Sequence, residues 1–252
     1  MRPSRRICIA ILVTALSTLP GLQAADHPRP GDDATYRPTV MVRRGKSLGT
    51  GTIIASVEDE TLVLTAAHVV ADSGPLFVEL FRYNLGVEHV QAVKGFPKRV
   101  EALVIARDLE ADLAILRIRG QLAFPYVARI ARGVAPPAIG TKVTTIGFDK
   151  GAKLIGFSTR VRSVAKLDFE KSGVFRPFVV TDDPPVVGRS GGGLFLADGS
   201  LVGVCIARAD HPEGQTLGLF STLGNVRQLI EENEDIAASM ARANRKKRSV
   251  AR

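Results

Sequence analysis

The stretch GRSGGGLF, residues 188–195, sets one hydroxyl, Ser190, among four glycines. A serine so placed fits three chemistries. It could flank a phosphate-cradling loop, act as nucleophile on a strand-to-helix elbow, or stand in a turn whose backbone N–H groups gather an oxyanion. A phosphate loop of the G-x-x-x-x-G-K-[ST] kind needs a lysine and a following helix, and neither follows Gly188. GRSGG does satisfy the elbow pattern G-x-S-x-G, but Gly191, Gly192 and Gly193 come next and then the strand-like LFLA, so no elbow helix starts there. An elbow fold would also need its acid and histidine after the serine, leaving only Asp198 or Asp210 with His211. A serine hydroxyl is a weak nucleophile near neutral pH unless an imidazole takes its proton. Upstream, LVLTAAHVV carries His68 and EADLAILRI carries Asp112, so the chain order is His, Asp, Ser.

The elements that must position these residues are short and β-rich. Runs such as TVMVRR, GTIIAS, TLVLTA, LFVELFRY, DLAILRI, KVTTIGF and LVGVCIA alternate with Gly, Pro, Asp and Asn at intervals of roughly 8 to 15 residues, the pattern of an all-β sandwich or barrel. His68 follows one such strand and Asp112 begins another. FPYVARIARGVAPPAIG, residues 124–140, is rich in Pro and Gly and is expected to link two barrels. Helical periodicity occurs near the end, where GNVRQLIEENEDIAASMARA sets Val226, Leu229 and Ile230 on one face of an expected C-terminal helix.

With 252 residues, 45% of them hydrophobic, the chain has enough apolar material for a substantial core. Residues 1–24 read as a secretory signal peptide, with three arginines, an apolar run from Ile7 to Leu16 and small residues around Ala24 and Ala25. That run is short against the roughly 20 residues that span a bilayer, so no membrane span is expected once the signal is removed. The two cysteines are Cys8, inside the signal, and Cys205, so a mature chain has no internal disulfide, as suits a periplasmic or secreted bacterial protein with a self-sufficient core. Cys205 lies in LVGVCIA, where a buried, inert thiol is expected. The formal charge of +9 is terminal: Arg2, Arg5 and Arg6 leave with the signal, the other six positive charges match the acid-free ARANRKKRSVAR, and residues 25–241 are formally neutral. A nucleic-acid-binding face on the globular part is therefore not expected. The basic end reads as a solubilising extension, with weak polyanion contact as its other reading. Four histidines without paired spacing give no expectation of a metal site, and no cofactor is expected.

Each motif alone is ordinary in a non-catalytic chain. Together, TAAH, DLAIL and GxSGG, in this order on an all-β sequence, resemble the trypsin-like serine proteases, and VVTDDPPVVGRSGGGLF, with Thr181 and Asp182 ahead of Gly188, is most similar to the HtrA/Deg branch. The resemblance covers residues 38–232. It implies two six-stranded antiparallel β-barrels of the chymotrypsin type and serine endopeptidase activity on polypeptide substrates, with His68 as general base, Asp112 buried against its other ring nitrogen, and Ser190 as nucleophile. The N–H groups of Gly188 and Ser190 would form the oxyanion hole. Asp108, in a polar turn, is the rival acid, and His89 and His211 lack triad motifs. The boundaries expected are signal 1–24, lead-in 25–36, N-terminal barrel 37–125, C-terminal barrel and helix 126–236, and a disordered basic tail 237–252.

The same resemblance places the S1 pocket at Pro184, six residues before the serine, with a wall from Cys205, Ile206 and Ala207, which predicts a shallow apolar site preferring small or aliphatic P1 residues. Two departures stand out. The position before the serine, acidic in digestive relatives where it takes an activating N-terminal ammonium, is Arg189. The PDZ domain typical of HtrA proteins is not found after residue 232, so no PDZ-mediated partner is expected. The competing functional reading is a trypsin-like binding module without catalysis.

Overall fold

The computed structural model describes residues 32–87, 90, 94–120, 123–210 and 214–250. The expected signal, His89 and His211 lie outside the described residues. The fold is mostly β, built from two sheets and two C-terminal helices.

The first sheet contains β1 (Thr39–Arg44), β2 (Ser47–Val57), β3 (Glu60–Thr65), β4 (Leu76–Leu80), β5 (Lys98–Glu101), β6 (Leu103–Asp108) and β7 (Leu113–Arg119), in the order β5-β4-β1-β2-β3-β7-β6. Only Ala102 separates the two edge strands β5 and β6, so they act as one bent strand that pairs with β4 at one end and β7 at the other. The second sheet contains β8 (Arg129–Ile130), β9 (Lys142–Asp149), β10 (Lys153–Leu167), β11 (Arg176–Thr181), β12 (Gly193–Phe195), β13 (Ser200–Asp210) and β14 (Thr216–Thr222). Because β12 pairs with both β9 and β13, six of these strands close into a ring, and β8 is an added seventh that runs parallel to β13. The expectation of six strands per barrel thus holds for the closed rings, and the extra strand comes from the stretch expected to be a plain linker.

Several strand sequences are apolar without alternation, and the packing explains it. In β3, Val63 faces one core cluster and Leu62 and Leu64 face another; in β7, Leu116 and Ile118 face the first and Leu113 and Ile115 the second. A strand covered on both faces needs apolar residues at successive positions. Both clusters draw on both sheets: the first adds Phe178, Ile206 and Leu219, the second Ile146, Phe195 and Leu201. The barrels therefore meet through shared apolar surface. A third cluster, around Val143, Val161, Leu194 and Phe220, fills the second ring.

Where one helix was expected there are two, α1 (Leu223–Glu231) and α2 (Glu234–Val250). Thr222 caps α1 by accepting from the Asn225 N–H at 3.4 Å, and Val226 and Leu229 are buried as expected, with Ile230 partly buried beside them. Residues 237–250, expected to be disordered, continue as helix. The sequence reading counted basic residues and overlooked Ile236, Met240 and Ala243, whose spacing lays them on one helical face against the second cluster. Glu60, the first residue of β3, anchors that helix: its carboxylate accepts from Ser239 at 2.8 Å and Arg242 at 2.7 Å, and pairs with Arg117 at 2.8 Å. Burial raises the Glu60 pKa, but the Ser239 hydroxyl and the two guanidiniums outweigh it and hold the carboxyl below its ordinary range. No helix among the described residues is long and apolar enough to cross a membrane.

Candidate active site

His68 opens a 3-10 turn, His68–Val70, immediately after β3 and the buried pair Ala66 and Ala67. Small residues there let the chain turn against the core. The turn is braced from its far end, where the Val70 carbonyl accepts from Arg44 Nη1 at 2.8 Å and Arg107 Nη2 at 2.6 Å. Asp112 sits at the entry of β7 with φ of 50°, a left-handed conformation that Asp tolerates better than most residues. Its carboxylate, 3% exposed, accepts the His68 backbone N–H at 2.9 Å and lies 2.6 Å from His68 Nδ1. Its carbonyl accepts from the Ala67 N–H at 3.1 Å. A carboxylate can only accept, so Nδ1 carries the proton in the neutral ring and Nε2 keeps a lone pair. The rival Asp108 has a different job. Its side chain accepts the Ala111 N–H at 3.0 Å, shaping the turn that presents Asp112, and pairs with Arg176 at 3.4 Å.

Ser190 is carried on the segment between β11 and β12. Its carbonyl accepts the Thr50 N–H at 2.8 Å, and the next N–H, from Gly191, reaches the Cys205 carbonyl at 2.7 Å. Gly191 has φ of 87°, and a Cβ there would lie 2.0 Å from the Thr50 carbonyl oxygen and 3.0 Å from the Ala66 nitrogen. The backbone just after the serine is thus pressed against the end of β3, two residues before His68. The Ser190 hydroxyl itself donates to the Ile206 carbonyl at 3.5 Å, and among the described residues no hydrogen bond joins it to His68. Ile206 lies at a β-bulge between Cys205 and Ala207 in β13.

The preceding turn is held from several sides. Thr50 Oγ1 donates to the Gly188 carbonyl at 2.8 Å and accepts the Phe148 N–H at 3.0 Å, while the Lys150 N–H donates to Val187 at 2.7 Å. Gly188 has φ of 96°, and a Cβ there would lie 2.5 Å from the Phe148 carbonyl oxygen, so only glycine fits. Among the described residues, the N–H groups of Gly188 and Ser190 donate to no protein acceptor. Arg189, between them, is 1% exposed: Nε pairs with Asp149, Nη1 donates to the Thr145 carbonyl at 3.4 Å, and the guanidinium lies 4.6 Å over the Phe157 ring. Motif reading found Arg189 only as a departure, and it missed Thr50 and Asp149 altogether. Both lie in unremarkable strand sequence, and only spatial proximity distinguishes them.

Of the residues expected to line S1, Pro184 and Ala207 are half-buried, and Ile206 packs in the apolar cluster shared by the two sheets. Cys205 is a correction. Its side chain points into the second ring among Val143, Leu194 and Phe220, whereas Ile206 and, past the bulge, Ala207 pack in the other cluster, so Cys205 is withdrawn from the expected pocket wall. Burial pushes its thiol pKa up to about 12, which makes it inert. Asp182 and Asp183 are exposed.

A family model described as Trypsin-like peptidase domain matches residues 49–204, which include His68, Asp112 and Ser190. The chain belongs to that family. Within it, this trypsin-like peptidase chain is similar to protease Do-like 14 of Arabidopsis thaliana, 28% identical over 195 residues, which are 75% of this chain and 42% of the relative. It is also similar to a DegP-like periplasmic serine endoprotease of Ectopseudomonas mendocina, 30% identical over 167 residues, 64% of this chain and 30% of the relative. The chain therefore spans less than half the length of either. Among solved structures, the Rv3671c protease of M. tuberculosis in its active form superposes with a TM-score of 0.62 at 24% identity, covering 80% of this chain and 83% of that one. That likeness concerns the fold.

Proposed function

We propose that the chain is an exported serine endopeptidase that works through His68, Asp112 and Ser190 and an acyl-enzyme. The observation that supports this reading is the His68–Asp112 pair, with Nε2 left as an acceptor, together with the N–H groups of Gly188 and of Ser190 itself, which have no protein acceptor among the described residues. In the reaction, Ser190 Oγ leaves the Ile206 carbonyl by a χ1 rotation and attacks the scissile carbonyl carbon as its proton passes to His68 Nε2. The carbonyl oxygen takes the electron pair and is met by the N–H groups of Gly188 and Ser190. His68 returns the proton to the leaving amine, and water repeats the sequence to release the acyl group. Asp112 holds the ring in the required tautomer and stabilises the imidazolium.

Specificity follows from the pocket. Pro184 offers no carboxylate, and an unpaired cation buried there costs several kcal/mol, so P1 is proposed to be small or aliphatic, with Ile206 and Ala207 as wall. Export to the bacterial envelope is inferred from the leader sequence and from the periplasmic description of the Ectopseudomonas relative. The test combines a fluorophosphonate probe with a peptide library read by mass spectrometry. Wild type is expected to label once, at Ser190, and to cleave after Val, Ala or Leu, while Ser190→Ala does neither. A wild type that neither labels nor cleaves marks the binding-module reading as correct, and dominant cleavage after Arg or Lys overturns the pocket.

A further inference from the structure

The turn that bears the oxyanion donors has an outer face with little packing: Val186 is 40% and Val187 75% exposed. Its inward anchor is Arg189, the largest fully buried side chain among the described residues and the immediate neighbour of both Gly188 and Ser190. A charge in that position must be paired, since an isolated ion in a low-dielectric interior is costly. Asp149 supplies the counter-charge from the tip of the β9–β10 hairpin, 28% exposed, and the Thr145 carbonyl and the Phe157 ring complete the shell. The same hairpin tip also donates Lys150 N–H to Val187 and bears the Phe148 carbonyl on which Gly188 rests.

We propose that Arg189 and Asp149 are positioning residues, a buried ion pair that latches the Gly188–Ser190 turn in its oxyanion-binding form from within the chain. The position whose acidic occupant, in digestive relatives, takes an activating ammonium here carries the opposite charge, and its partner is built into the neighbouring hairpin. The latch works through the asymmetry of its two ends. If Asp149 loses its charge, the unpaired guanidinium gains by swinging out to water, and flexible Gly188 lets the backbone follow. The two N–H donors then leave their shared focus, whereas most of the apolar core is untouched. The catalytic consequence rests on the peptidase reading; the ordering of the turn does not.

Both are measured on the full chain with Asp149→Asn, which keeps the shape and removes the charge. Amide hydrogen exchange across residues 186–191 is expected to quicken about tenfold while exchange in β3 and β7 stays at wild-type values. Turnover per probe-labelled site is expected to fall about 10- to 100-fold, with KM within about threefold, because losing one oxyanion donor outright costs about 100- to 1000-fold. A merely structural role would lower the number of labelled sites and leave turnover per site unchanged. The double variant Asp149→Asn with Arg189→Met removes the cation that has nowhere to go, and is expected to recover both exchange protection and turnover to within about threefold of wild type. Unchanged exchange at 186–191 in Asp149→Asn overturns the latch, as does a double variant that stays as impaired as the single one. If wild type proves inactive, the exchange results still decide the latch, and the peptidase reading fails separately.

Discussion

The two halves of the candidate site are held in opposite ways. His68 and Asp112 form a self-contained unit: the carboxylate takes both the ring nitrogen and the backbone N–H of His68, and the Asp112 carbonyl takes the Ala67 N–H. Ser190 and its turn are held from outside, by Thr50 on β2 in the first sheet and by the β9–β10 hairpin in the second. The contrast teaches that the half proposed to supply acid–base chemistry should be sensitive to the identity of its own two residues, and the half proposed to bear the nucleophile to residues far away in sequence.

The largest expected effect lies in the self-contained half. Asp112→Asn replaces an acceptor-only carboxylate with an amide that can donate to Nδ1, which puts the proton on Nε2 and, on the proposed mechanism, leaves no base for Ser190. Turnover is expected to fall about 10⁴-fold, the size such a tautomer error has in triads of this kind. Steady-state kinetics on a cleaved peptide measure it, and a loss under tenfold would break the picture of one coupled unit.

A smaller effect belongs to the outside support. Thr50→Val keeps volume but strips the hydroxyl that bridges Phe148 N–H and the Gly188 carbonyl, leaving two buried groups unpaired at about 1–3 kcal/mol. For a chain of this size that is a fall in Tm of roughly 3–10 °C, with turnover lowered about tenfold. Thr50→Ser restores the hydroxyl and is expected to return turnover to within about twofold of wild type. Loss of Tm without loss of turnover in Thr50→Val would show that the turn needs no support from β2.

The smallest effect is remote from both halves, at Glu60. Its carboxyl lies below its ordinary pKa in the folded chain, so the stability it contributes is present above the unfolded-state pKa and is lost as pH falls through the folded-state pKa. Glu60→Gln is therefore expected to lower Tm by about 2–4 °C at pH 7, with the difference from wild type vanishing in acid, and to leave turnover unchanged. A deficit that persists in acid, where the carboxyl is protonated in both states, would assign the anchoring of α2 to packing by Ile236, Met240 and Ala243 alone.

The sequence by itself determined the mostly β fold, because strand-forming runs between turn residues leave few other architectures, and it singled out His68, Asp112 and Ser190, because their order and local motifs are unusual in combination. It also marked Gly188, where the backbone angle excludes a side chain. Tertiary structure alone decided what surrounds them. Thr50 is one threonine among many, and nothing in LGTGT shows that its hydroxyl meets a carbonyl 138 residues away. Arg189 read as a missing acid until Asp149, 40 positions earlier, was brought beside it by the pairing of β9 with β12. Cys205 looked like pocket wall by position, and its side chain is buried among Val143, Leu194 and Phe220. Residues 237–250 looked disordered by charge, yet they are helical and dock through apolar spacing and Glu60. In each case the deciding quantity is a contact between distant segments, and local propensity carries no record of which distant group will satisfy a hydroxyl or a buried charge.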